Sequence, residues 1–128
     1  MASAKFLLSK VKSMNDLKKE YRIRENREFR YVYRRGKVCV SSRAVLYVLP
    51  QAGQSTRIGF VTGKKIGSAV KRNRARRLMR EVYRLHRHRL QQGYLLVLVG
   101  RSPLTRSTYA EAEKDIVGLW KRARVIKR

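Results

Sequence analysis

A chain of 128 residues with 43% hydrophobic content has room for one buried core and little for two. Its 33 Lys and Arg stand against 8 Asp and Glu, a formal net charge of +25. A body this small and this basic repels itself unless a polyanion neutralises it, which makes nucleic acid the leading partner class and an anionic membrane surface the second.

Residues 1–20 carry Lys5, Lys10, Lys12, Lys18 and Lys19 and no sustained apolar period. They read as a flexible N-terminal extension to a single domain over residues 21–128. The run Phe6-Leu7-Leu8 is too short for a signal-peptide core. No stretch of the chain approaches the roughly 20 apolar residues of a membrane span. The expected compartment is the cytoplasm.

A helix is predicted from Asn26 through Arg35, because Phe29, Val32 and Tyr33 recur at i, i+3 and i+4 and Gly36 follows as a stop. Val38 to Leu49 reads as extended. Within it, Ala44 to Leu49 is so continuously apolar that a strand buried on both faces is expected. Pro50 to Gly53 form a turn, and Arg57 to Thr62 a second long strand. A long helix is predicted from Ala69 to about Gln92, with Leu78, Val82 and Leu85 as its apolar stripe, widened by Ala75 and Met79. Tyr94 to Val99 is the most apolar run and reads as a central strand, broken by Gly100, Ser102 and Pro103. Thr108 caps the last helix with Glu111 at its third position, and Ile116, Leu119 and Trp120 form its apolar face. This order describes an α/β sandwich, one mixed sheet with helices packed on it.

No catalytic constellation is visible. His86 and His88 lie two apart on a helix, point to different sides and have no acid at i, i+4; both read as surface or half-buried histidines. The eight acids are scattered, without the paired carboxylates of a metal-dependent nuclease. Gly59 to Lys65 resembles a phosphate loop only loosely, with three residues between its glycines and Lys65 where Ser or Thr should stand. Cys39 is the only cysteine. It excludes an intrachain disulfide, and its apolar neighbours make it a core residue.

The informative run is Gly63 to Glu81. On a helix from Ala69, Asn73, Arg76, Arg80, Arg84 and Arg87 fall on one side, a rail of guanidinium groups about 5–6 Å apart, close to phosphate spacing. Lys64, Lys65 and Lys71 extend it at the helix N-terminus, which favours anions already. A solvated helix face normally mixes signs, yet from Lys64 to Arg89 only Glu81 interrupts the positive charge. Phe29, Tyr33 and Tyr47 form a second group: aromatic rings beside cations suit stacking of single-stranded bases, and equally suit an ordinary core.

The run Lys64 to Glu81, built on Arg72-Asn73-Arg74, Arg76-Arg77 and Arg80-Glu81, closely resembles the signature of the bacterial ribonuclease P protein family. Arg27 to Gly36, Leu46-Tyr47-Val48, Arg57 to Phe60, Tyr94 to Val97 and Thr108 to Glu111 match in the family's order, so the resemblance covers about Arg22 to Arg124. It implies a four-stranded mixed sheet with three helices, shared with a ribosomal-protein domain, and a left-handed crossover through the long helix, against the usual rule. It implies the non-catalytic protein subunit of an endoribonuclease whose RNA performs the hydrolysis with bound Mg²⁺. In that division of labour Arg72, Asn73, Arg74, Arg76, Arg77 and Arg80 meet the catalytic RNA. Phe29, Tyr33 and Tyr47, with Lys64 and Lys65 at the edge, hold the single-stranded 5′ leader of precursor tRNA. No organic cofactor, membrane or obligate protein partner is implied. Tyr33 stands where the family often has phenylalanine and keeps the stacking face. The alternative is a ribosomal or other structural RNA-binding protein without a role in tRNA processing.

Overall fold

The computed structural model describes residues 22–127. Elements follow in the order α1 (Asn26–Arg35), β1 (Lys37–Val40), β2 (Ala44–Pro50), β3 (Arg57–Thr62), α2 (Ala69–His86), β4 (Tyr94–Gly100) and α3 (Tyr109–Arg122), with 3-10 turns at Lys64–Ile66, Arg87–Arg89 and Ser102–Arg106. The proposed extension over residues 1–20 lies outside the described residues.

The four strands form one sheet in the order β1-β2-β4-β3. β1 pairs antiparallel with β2 and β2 with β4, while β3 pairs parallel with β4, so the sheet is mixed as expected. The stretch from Val38 to Leu49 is two strands, because Ser41 closes a hairpin by donating its N–H to Ala44 O at 2.8 Å. Parallel β3 and β4 need a crossover, and α2 provides it.

Helices cover both faces. On one, Ala44, Leu46 and Val48 of β2, Leu96 and Leu98 of β4 and Ile58 of β3 pack with Ala75, Met79 and Val82 of α2 and Ile116, Leu119 and Trp120 of α3. On the other, α1 lays Val32 against Leu95 and Val97, with Phe29, Tyr47, Leu49, Val61 and Val99 partly buried around them. β2 is therefore not buried on both faces: Ala44, Leu46 and Val48 are buried, and Val45, Tyr47 and Leu49 only half so. A ten-residue helix is too short to roof a whole sheet face.

Two further expectations are corrected. α2 ends at His86, not near Gln92, because Arg87–Arg89 tightens into a 3-10 turn and Leu90 leaves to bridge with Ile126, which buries it. The core stripe of α2 is Ala75, Met79 and Val82, while Leu85 is 43% exposed. The small Ala75 lets the helix approach closely, so the buried arc centres on it and Leu85 falls roughly a quarter-turn away. The capping box of α3 is present: Thr108 Oγ1 accepts from Glu111 N at 3.2 Å, and Glu111 Oε1 accepts from Thr108 N at 2.9 Å.

Candidate nucleic-acid interface

The rotation of α2 decides which arginines stand where. With Ala75, Met79 and Val82 inward, Arg76 and Arg80 each lie one 100° step beyond a core residue, on the flank facing the open edge of β3. Arg76 Nη2 donates to Thr62 Oγ1 at 2.8 Å, the last residue of that strand, and its Nη1 to Asn73 Oδ1 at 3.4 Å. Arg80 is half-buried, and its Nε is shielded from solvent without an acceptor among the described residues. Burial, then the nearby charges of Arg76 and Arg22, push its guanidinium pKa down. Arg22 reaches this cluster because its backbone bridges to Ile58 of β3. Nothing in the sequence around Arg22 signalled that role.

The other arginines separate. Arg77 is exposed, and Arg72 sits half-buried at the helix start. Arg84 pairs with Glu81 on the outer face. Arg74 points to the opposite flank, where Nε donates to Thr105 O and Nη2 to Ser107 O, each at 3.0 Å. The rail expected over Asn73, Arg76, Arg80, Arg84 and Arg87 is thus a partly buried flank along β3 plus outward groups at Asn73 and Arg84. Ser68 caps the helix start, its Oγ accepting from Lys71 N at 3.3 Å, and the exposed Lys64 and Lys65 precede it.

The acids explain why this flank is bare. Six of the eight lie among the described residues, and each is engaged elsewhere. Glu25 pairs with Arg27, Glu28 with Arg57, Glu81 with Arg84 and Glu111 with Arg43. Asp115 Oδ2 accepts from Ser41 Oγ at 2.9 Å and Arg43 N at 3.1 Å. Glu113 accepts from Tyr109 Oη at 2.9 Å and lies 2.7 Å from His86 Nε2. Arg89 Nη1 lies 3.2 Å from the other ring nitrogen, Nδ1, so the imidazole sits between Glu113 and Arg89. His86 is thus half-buried and tied between α2 and α3, a partner that spacing along one helix could not reveal. Among the described residues no three His, Cys, Asp or Glu gather to hold a metal ion.

The second surface is the sheet face that α1 leaves open. Phe29 lies on Gly59, where a Cβ would stand 2.4 Å from its ring, so glycine is needed there. Tyr33 and Tyr47 meet edge to face with centroids 4.8 Å apart at 76°. The Tyr33 hydroxyl pKa is raised by burial and then by Tyr47. α1 is tied toward one end of the sheet, by Glu28 to Arg57 and by the close approach of Gly36 to Val48. Towards the other end Val45, Val61 and Val99 are half-exposed, and Val38 and Val40 of β1 are 50% and 52% exposed. Lys64 and Lys65 follow β3 at that open end. Sequence reasoning assembled Phe29, Tyr33 and Tyr47 but missed this valine floor, because β1 and β2 carry apolar residues on both faces and hide the alternation.

The ribonuclease P family model matches residues 17–124. The chain belongs to the ribonuclease P protein family. Among its relatives, the ribonuclease P protein component of Symbiobacterium thermophilum is 39% identical over 113 residues, 88% of this chain and 98% of that one. The component from Clostridium novyi is 43% identical over 109 residues, 84% and 96% of the two chains. Among solved structures, the RNase P protein of Staphylococcus aureus superposes with a TM-score of 0.76 at 26% identity, covering 84% of this chain and 98% of that one. The RNase P protein from Thermotoga maritima gives 0.72 at 26% identity, covering 79% and 96%. The three helices and mixed four-stranded sheet are those of this family's structures. Among the described residues no helix is long and apolar enough to cross a membrane.

Proposed function

We propose that this chain is the RNA-binding subunit of a ribonuclease P, which removes the 5′ leader of precursor tRNA to give mature 5′ ends. Its catalytic RNA sits against the arginine flank of α2, with Arg72, Asn73, Arg76, Arg77 and Arg80 toward it. The single-stranded leader lies in the trough floored by Tyr47 and the valines and walled by Phe29 and Tyr33, with Lys64 and Lys65 at its open end. The observation that carries this reading is the Arg22–Arg76–Arg80 cluster: three cations crowded beside a strand edge, one of them partly dehydrated, with every described acid occupied elsewhere. Such a group is costly until an anion arrives, and RNA phosphates supply one at each nucleotide. The trough adds stacking faces that tolerate any base.

In this reading hydrolysis belongs to the RNA and its Mg²⁺, and the site of action is the cytoplasm. The protein's own groups bind and orient: guanidinium forks hold the catalytic RNA, and rings hold the leader that distinguishes precursor from product. The test is cleavage of end-labelled precursor tRNA by the cognate catalytic RNA at low Mg²⁺, with the protein, without it, and with protein alone. Mature 5′ ends that depend on both components are the expected result. Tight RNA binding without stimulation of cleavage would point instead to a structural RNA-binding protein.

A further inference from the structure

The arginine-rich signature is not uniform, and Arg74 stands apart from its neighbours. From it to Arg76 is two steps of 100°, which sets the two about 160° apart around the helix. They cannot share a phosphate. The Arg74 fork lies along the connection between β4 and α3, donating to the carbonyls of Thr105 and Ser107, residues 8% and 3% exposed. That connection is itself tightly tied. Thr105 Oγ1 donates to Ser102 O at 2.8 Å, Ser107 Oγ donates to Pro103 O at 2.9 Å, and Leu104 is fully buried between them. Ser107 Oγ also accepts from Arg43 Nε at 2.7 Å, and Arg43 lies in the β1–β2 hairpin, where Asp115 holds its backbone N–H.

We propose that Arg74 is a positioning residue: it fixes the rotation of α2, and so the placement of Arg76 and Arg80 beside β3, and does not itself contact RNA phosphate. The proposal rests on the reading of α2 as the catalytic-RNA surface. Carbonyl acceptors carry no net charge, so what the site uses is the fork, two N–H groups held in one plane at a fixed spacing. Lysine, a compact ammonium on a flexible stem, cannot reproduce it. The strut also joins the two binding surfaces, since Ser107 links Arg74 to the hairpin whose strands carry Val38, Val40 and Tyr47.

The decisive substitution separates shape from charge. Citrulline in place of Arg74, introduced into the full chain, keeps the Nε–H and terminal NH₂ donors and removes the charge; Arg74→Lys keeps the charge and removes the fork. For each, thermal midpoint and affinity for the cognate catalytic RNA are measured across salt concentrations, with citrulline at position 80 as the phosphate-contact control. The expected result at 74 is that citrulline leaves midpoint, affinity and salt slope near those of the parent. Arg74→Lys should lower the midpoint by about 5 °C and weaken RNA binding several-fold. Citrulline at 80 should lower the salt slope by about 0.7–0.9. A fall in salt slope or affinity with citrulline at 74, or a lysine variant equal to the parent, overturns the proposal. The midpoints read the strut without RNA, so a parent protein that failed to bind catalytic RNA would refute the function and leave the strut testable.

Discussion

Leu98 and Val99 are neighbours on β4, yet they face two differently built halves of the molecule. Leu98 is fully buried under α2 and α3; Val99 is half-exposed beside a short helix that covers one end of its face. The closed face carries the fold. The open face keeps apolar surface in water next to lysines and arginines, an arrangement that costs stability unless something binds there. The same strands thus serve both purposes, with the alternation of side chains keeping them apart.

The sharpest test of this division is a pair of adjacent substitutions. Leu98→Ala should lose about 2–5 kcal/mol, the range for emptying a packed core position. Val99→Ala should lose about 1 kcal/mol or less, since its side chain is already part-solvated. Urea unfolding of both variants decides it, and equal losses would break the comparison.

The converse effect belongs to the open face. Tyr47→Ala should weaken precursor tRNA binding by about 1–3 kcal/mol per lost stack while affinity for mature tRNA stays constant. Equilibrium binding of leader-containing and leaderless tRNA to the holoenzyme measures this, and equal losses would remove the leader from the trough. Arg80→Ala should act on neither the trough nor the core. It should weaken assembly with catalytic RNA and flatten the salt dependence by about one phosphate's share, a slope change near 0.7–0.9.

How far this division was legible in the sequence differs between the faces. The helix period in Asn26–Arg35, the capping box at Thr108 and the glycine after α1 each have one local cause, and each element appeared where expected. The trough's three aromatics were found because two share a helical face. The rotation of α2 was only partly legible: Ala75, Met79 and Val82 are buried and Leu78 packs half-buried against the core as expected, but centring the stripe on the leucines misplaced Leu85, which tertiary packing leaves exposed. The same error hid the division among the arginines: with the stripe displaced, Arg74 could not be told from the groups facing β3. The Arg22 bridge and the Glu113–His86 tie join residues far apart in sequence, and no local pattern encodes them.

The smallest expected effect lies where the two faces are joined. Glu28, in the first turn of α1, pairs with Arg57 of β3, both side chains partly buried. The Arg57 guanidinium, by hydrogen bonding first and charge second, holds the Glu28 carboxyl below its ordinary value of 4.5, against the opposing pull of burial. A carboxyl whose pKa is lower folded than unfolded adds stability that is complete above its unfolded pKa and is lost as pH falls through the folded one. The Glu28→Gln variant should therefore be less stable than the parent near neutral pH, by less than about 1 kcal/mol because solvent still screens the pair. The difference should close as pH falls through the lowered pKa of the folded Glu28 carboxyl, below the ordinary carboxylate range. Taking the difference between the two proteins cancels the other acids, so urea unfolding over this pH range reports the contacts of the Glu28 carboxylate, the one with Arg57 first among them. Because the pair pins the start of α1 while the closed core sits on the other face, leader affinity should respond to Glu28→Gln more than global stability does. Equal sensitivity of the two would mean that α1 is as integral to the fold as α2 and α3, and the two faces would then not be separable.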